Sequence, residues 1–240
     1  MGVFGRLKIF ITDSVLWFFW FPFRGVARFL PLKLLYFIAE LCSYCLYYGS
    51  AKIRALTYSE LKNCLGERLS EQELWRVVRR SFEMDMKRRC EDLILGRMTK
   101  DAVEKMVAVE GLENIDNALA KGKGAIILLS HFGSYFMVLP ALGFRGYRIN
   151  QIGGSPVLKH HRPIHKRIFE AREKEYSSLP VKFMRSDTDV KAVVRALQRN
   201  ELVAIAFDGR EGKDWVKIKF LGRTAYVGQG PVRFAAITGA

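Results

Sequence analysis

Two hundred and forty residues can bury one good-sized core, or one core with a small appendage. Half of them are hydrophobic, 12% aromatic and 26% charged, which excludes a disordered or low-complexity chain. A mean hydropathy of +0.02 argues against a multi-pass membrane protein. Lys and Arg number 39 against 24 Asp and Glu, a net charge of +15, so the surface should attract polyanions: nucleic acid, anionic lipid headgroups or an acidic carrier protein. Four cysteines do not make a disulfide framework, and a reducing compartment is expected.

The apolar residues are concentrated at the start. Val15 to Phe23 (VLWFFWFPF) carries no charge, and Phe29 to Tyr48 carries only Lys33 and Glu40. Twenty residues of helix would span roughly the 30 Å of a hydrocarbon core, but two charges argue against a clean span. Trp17, Trp20, Tyr36, Tyr44, Tyr47 and Tyr48, with Arg6, Lys8, Arg24, Arg28, Lys52 and Arg54 around them, suit an anchor lying at a membrane interface or inserted shallowly. The competing reading is a helical hairpin packed on its own domain. A cleaved signal peptide fits poorly, because no small-residue cleavage pattern follows the apolar run. Cys42 and Cys45 form a CxxC inside this tract with no histidine nearby and no second pair, so they read as free thiols on a buried helix face.

From Ala51 the pattern is amphipathic helix. Ser70 and Glu73 form a capping box, and Leu74, Val77, Val78, Phe82 and Met86 recur at helical spacing. The opposite face presents Arg76, Arg79, Arg80, Lys87, Arg88 and Arg89, a set that would either meet phosphates or form a solvated face.

From Val109 strands and helices alternate. Val109 should open a short strand, followed by a helix ending near Gly122. Ala125 to Ser130 is a continuous apolar run of the kind found in buried parallel strands. Then come a helix over Ser134 to Leu142, a strand in RINQIGG, a basic helix over Arg162 to Tyr176 and a short strand in VKFM. A helix from Asp187 to Arg199, a second buried strand (LVAIAFD), an alternating strand (WVKIKFL) and a helix opened by Pro231 complete the pattern. The expected fold class is α/β: a central, mostly parallel sheet flanked by helices, preceded by an N-terminal apolar helical anchor and a helical lead-in. Domain boundaries are expected at 1–50, 51–108 and 109–240. The last domain should continue past Ala240, because a doubly wound sheet would take another strand there.

Sheets of this type present reactive groups at the carboxyl ends of their strands. His131 follows the first buried strand and opens the turn Phe132-Gly133-Ser134, and neutral imidazole is the usual base for a hydroxyl proton. A second turn, Asp208-Gly209-Arg210-Glu211-Gly212-Lys213, follows the other buried strand. There Arg210 and Lys213 suit a phosphate or carboxylate, Asp208 or Glu211 could orient an imidazole, and the glycines permit close backbone approach. His161 and His165 are four apart, as metal ligands on a helix would be. No third ligand accompanies them, so His160, His161 and His165 with Lys159, Arg162, Lys166 and Arg167 read as a cationic face, and no metal or cofactor is expected.

At the two strand-end turns the chain resembles the bacterial lauroyl/myristoyl acyltransferases of lipid A synthesis, within the lysophospholipid acyltransferase superfamily. SHFGSYF, after GLENIDNALAKGKGAIIL, is similar to the family's central block. Asn63-Cys64-Leu65 with the following helix, ALQRNELVAIAFDGREG, and WVKIKFLGRTAYVGQGPVRFAAITGA are similar to its other blocks, in order, over roughly residues 55 to 240.

The resemblance implies transfer of an acyl chain from acyl carrier protein or an acyl-CoA thioester to a hydroxyl of a lipid acceptor, at the cytoplasmic face of the bacterial inner membrane. It places His131 as the base and Gly133, Ser134, Gly209, Arg210, Lys213 and Arg223 in or near ligand-contacting turns. The anionic partners implied are acyl carrier protein and membrane lipids. Nucleic acid is not expected, since no helix-turn-helix, zinc or ribonucleoprotein signature is present.

One departure stands out. The motif of the family it resembles is a histidine, four residues, then Asp or Glu, whose carboxylate orients the imidazole; counted from His131, that position is Phe136. Three readings are open at this point: Asp208 or Glu211 supplies the acid from the facing turn, His131 acts alone and slowly, or the chain is a lipid- or carrier-binding relative without catalysis.

Overall fold

The computed structural model describes residues 3–153, 162–184, 190–209 and 214–240. The chain forms two compact units. One comprises Met1–Phe21, Leu95–Val216 and Tyr226–Ala240, the other Pro22–Ile94 and Lys217–Ala225.

The first unit contains a four-stranded sheet of β1 (Ala125–Leu129), β2 (Ile149–Ile152), β3 (Lys182–Met184) and β4 (Leu202–Ala206), in the order β1-β4-β2-β3. Every pairing is parallel. Side chains alternate across the sheet, as the two-residue repeat of a strand requires. Leu202 and Ala204 join Ile149, Leu139, Leu142 and Val181 in one core, with Ala125, Ile127 and Leu129 against it. Val203 joins Val193, Ala196, Leu197 and Met184 in a second core, with Ile126 and Ile205 against it. The first core takes apolar residues from α7 (Leu112–Leu119) and α8 (Tyr135–Gly143). The second takes them from α10 (Val190–Gln198) and from Phe234 of α11 (Gly230–Thr238). Helices therefore cover both faces, and the expected α/β class holds. The unit also contains α1 (Val3–Phe18), α6 (Lys100–Met106) and α9 (Pro163–Tyr176).

One local expectation changes, and one strand forms as expected with a partner of its own. Val109 forms no strand: residues 107–111 are irregular, and Val109 fills the first core without joining a ladder. The alternating run WVKIKFL is one half of a hairpin, β5 (Trp215–Phe220) and β6 (Arg223–Gly228), joined by Leu221-Gly222.

The second unit is helical: α2 (Arg24–Ala27), α3 (Leu32–Gly49), α4 (Ala51–Leu65) and α5 (Glu71–Ile94). The capping box at the start of α5 forms as expected, with the Ser70 N–H donating to Glu73 at 2.8 Å and the Glu73 N–H to Ser70 Oγ at 3.4 Å. Helices α3 and α5 run antiparallel: Tyr36 donates to Glu91 at 2.6 Å at one end, and the Tyr47 ring meets Phe82 edge-on at 5.5 Å nearer the other. Burial of Leu35, Ala39 and Ser43 on α3 and of Leu74, Val78 and Phe82 on α5 follows from that packing. Phe29 to Tyr48 is thus neither wholly a span nor wholly a core element. Its inner stripe is packed, while Leu34, Phe37, Leu41 and Tyr48 are exposed. Cys42 and Cys45 lie on the exposed side, because the buried stripe is already occupied; the buried-face expectation for them is corrected.

The helix long and apolar enough to cross a bilayer, among the described residues, is instead Gly5–Ala27. It is continuous through a π-helical turn over Phe19–Phe23, the usual accommodation for a proline such as Pro22 inside a helix.

The turn into β1 depends on Gly124, at φ +70°. A Cβ there would lie 2.8 Å from the backbone oxygens of both Leu197 and Glu201. Gly124→Ala should therefore lower unfolding stability by roughly 2 kcal/mol or more, measured by chemical denaturation. An unchanged midpoint would show that the turn can open without cost.

Candidate active site

The register of β1 and β4 builds the site. Leu129 pairs with Ala206, and the Phe207 N–H donates to the Leu129 carbonyl at 3.0 Å. Two residues beyond that pair on each strand come His131 and Asp208, which therefore leave the sheet side by side. The Asp208 carboxylate grips His131 twice: Oδ2 accepts from the backbone N–H at 2.6 Å, and Oδ1 lies 2.8 Å from ring Nδ1. With Nδ1 on a carboxylate the proton belongs there, which leaves the lone pair on Nε2. The imidazole is 49% exposed, so a solute can reach it.

Partial burial pushes the Asp208 carboxyl up, but the His131 N–H, its ring and its charge together outweigh this and hold it below the ordinary aspartate value. The carboxylate thus stays ionised at neutral pH, able to orient the ring and to stabilise the imidazolium that forms when Nε2 takes a proton.

The turn after His131 is tight, with the Phe132 N–H donating to Ser130 at 2.8 Å. Gly133 follows at φ +57°, a left-handed conformation that glycine tolerates best. Ser134 caps α8 by position without a side-chain cap bond to the helix. Gly209 follows Asp208 but has room for a Cβ, 3.7 Å from the nearest atom, so close approach does not demand glycine there. The structure thus brings together His131, Gly133, Ser134, Asp208 and Gly209. Arg210, Glu211 and Lys213 lie outside the described residues, as do Lys159, His160, His161 and Asp187. Arg223 belongs to the other unit, exposed at the start of β6.

Phe136 sits in an aromatic row. The Tyr135 ring meets His131 edge-on at 4.8 Å and lies 4.2 Å from Phe136. Phe136 lies 6.2 Å from Tyr176, which stacks on Phe183 at 4.9 Å. Arg172 closes the group: its guanidinium lies 5.3 Å from the Phe136 ring, 5.4 Å from Tyr176 and 5.6 Å from Trp20, and it donates to the Tyr176 hydroxyl at 2.6 Å. Each cation–ring contact of this kind contributes about 0.5–2 kcal/mol. Sequence reasoning missed Tyr135, Arg172 and Tyr176, because nothing in their spacing says that α8 and α9 meet.

The basic face of α5 is largely self-neutralised. Lys87 and Arg79 pair with Glu83 at 2.5 and 3.5 Å, and Arg88 and Arg89 both pair with Asp85 at 2.8 Å. Arg76 and Arg80 remain exposed. Among the described residues no group of three or more His, Cys, Asp or Glu is placed to hold a metal ion.

An accessible histidine held by a carboxylate at the mouth of a parallel sheet defines a site suited to drawing a proton from a hydroxyl. The sequence identifies the lineage: the chain belongs to the bacterial lipid A biosynthesis acyltransferases, whose family model matches residues 6–240. That family transfers acyl groups in lipid A biosynthesis. A search of curated protein sequences gives no significant match to the chain.

The depressed Asp208 value carries a pH signature. Its stabilisation is complete above the unfolded value of about 3.9 and is lost as pH falls through the lower folded value. Asp208→Asn should flatten the acid limb of a plot of thermal midpoint against pH below about pH 4. Superimposable acid limbs would mean that the pair contributes nothing to stability.

Proposed function

We propose that the protein is a membrane-associated O-acyltransferase that moves a fatty acyl chain from an acyl carrier protein or acyl-CoA thioester to a hydroxyl of a lipid acceptor such as a lipid A precursor. The observation that carries this reading is the double contact of Asp208 on His131. His131 Nε2 takes the proton of the acceptor hydroxyl while its oxygen attacks the thioester carbonyl. The tetrahedral intermediate collapses to the ester, the C–S bond breaks, and the thiolate leaves and is protonated. Asp208 is the substitute for the motif acid, holding Nδ1–H and stabilising the transient imidazolium. Gly133, Ser134 and Gly209 border the reacting groups, and Arg210, Glu211, Lys213 and Arg223 are proposed to contribute to substrate binding, as the family resemblance implies.

Work at the cytoplasmic face of the inner membrane fits the apolar surface. On α1, Leu7, Phe10, Ile11, Val15, Trp17 and Phe18 are exposed, which in water would be an unusually apolar helix face. The excess of basic charge suits anionic lipids and acidic acyl carrier protein alike.

Mass spectrometry of lipids, after incubation with labelled acyl carrier protein thioester and an acceptor panel, tests the reading. His131→Ala should reduce label transfer about 10²–10⁴-fold, and Asp208→Asn should fall in the same range because the ring loses its orienting acceptor. Transfer unaffected by His131→Ala would overturn the assignment of the base. Wild type silent with every acceptor, and silent again when a labelled acyl-CoA replaces the carrier-protein donor, would favour the binding-only alternative.

Phe136→Glu, which restores a carboxylate at the family's usual position, should not raise transfer. Arg172 lies beside that ring and would pair with the new acid, while Nδ1 is already held. A gain of about tenfold or more would show that Asp208 is an inadequate substitute.

A further inference from the structure

Hairpin β5–β6 stands apart from the four-stranded sheet in its pairing. It forms its own two-stranded sheet, and both its faces are largely open: Trp215 is 38% exposed, Phe220 56% and Tyr226 64%. A lone two-stranded ribbon is marginal in water and gains stability only when something packs against it. From Trp215 to Gly228 its charged residues are Lys217, Lys219 and Arg223, all basic, with no Asp or Glu among them. All three are exposed.

The tip is the second observation. Leu221-Gly222 is a two-residue hairpin turn with φ +49° and +76°, the sense that favours Asn-Gly. Leucine adopts that conformation under strain, and its side chain is 42% exposed beside Phe220. Local folding rules would put asparagine there. A strained, exposed, apolar residue at a loop tip points to a use outside the fold.

We propose that the β5–β6 hairpin docks on an anionic lipid surface, with Phe220 and Leu221 entering the headgroup boundary, Trp215 and Tyr226 at the interface, and Lys217, Lys219 and Arg223 meeting lipid phosphates. This is a membrane contact separate from the N-terminal helix, and it rests on the membrane-associated reading above. Lipid is favoured over an acidic protein surface because the basic side chains are interleaved with large apolar ones around an exposed turn, the composition of interfacial segments.

The test is fluorescence quenching of the full chain by vesicles carrying brominated lipid, either phosphatidylcholine alone or mixed with phosphatidylglycerol. Subtracting the Trp215→Phe variant isolates Trp215 from Trp17, Trp20 and Trp75. Trp215 should be quenched by the anionic vesicles and far less by the zwitterionic ones. Lys217→Gln with Lys219→Gln should raise the lipid concentration for half-quenching by about fivefold per residue removed. Leu221→Asn should weaken Trp215 quenching without lowering the thermal midpoint. Quenching of the other tryptophans with Trp215 silent would overturn the hairpin contact and leave the membrane reading standing. No quenching of any tryptophan would overturn both. A Trp215 response to acyl carrier protein but not to vesicles would overturn the lipid surface in favour of a protein one.

Discussion

The site depends on one pairing: β4 lies beside β1, parallel and in a register that sets Ala206 against Leu129. The proposed chemistry sits two residues further on, where the ladder has ended and the backbone turns. Because both strands are parallel, both turns emerge at the same edge, and because the register is in step, the imidazole and the carboxylate emerge at the same height. A slip of one residue would reverse the alternation that feeds two separate cores, taking Leu202 and Ala204 out of one and Val203 out of the other. Core packing therefore fixes the register, and the register positions the pair.

On the proposed reading, this is how the chain can carry Phe136 where the motif it resembles has an acid. A base of this kind uses a carboxylate acceptor at Nδ1, and the strand-end Asp208 lies 2.8 Å from that atom. Once Asp208 accepts from both Nδ1 and the His131 backbone, a carboxylate at position 136 would be an additional charge, while an aromatic ring there finds Tyr135, Tyr176 and the Arg172 guanidinium. The row of rings gains about 0.5–1.5 kcal/mol per well-placed pair beyond area burial, and it ties α8 to α9.

Much of this was legible in the sequence, and the reasons are physical. AIILLS and LVAIA are short runs of apolar residues bounded by turn residues, and only strands buried on both faces need such runs. The strand-end positions of His131 and Asp208 followed from those runs. What one sequence could not supply was the strand order: that β4 inserts between β1 and β2 is decided by packing of side chains far apart in the chain. That the turn after β4 would meet the turn after β1, bringing Asp208 to His131, could not be read for that reason. The same limit hid the cation–ring group, since Trp20, Phe136 and Arg172 come from three distant segments. The strand expected at Val109 failed because one apolar residue in a short run can fill a core without a ladder.

Net charge was the least local signal, and the structure redistributes it. On α5 the i, i+3 and i, i+4 pairs of Glu83 and Asp85 consume four of the six basic residues, so that helix contributes less to an electropositive surface than its composition implies. The hairpin has no such internal acids, and three basic side chains there stay exposed among aromatic ones. On α3, Leu34, Phe37, Leu41 and Tyr48 follow a three-four spacing on the side away from the packed stripe of Leu35 and Ala39. A helix apolar on both sides cannot be satisfied by one neighbour. Its inner side is explained by α5, and its outer side, left in water, would keep the cost of ordering a large apolar surface without the gain from burying it. On the membrane-associated reading proposed above, a bilayer surface would remove that cost and turn the +15 charge into attraction, so the apolar stripes and the basic excess would share one explanation.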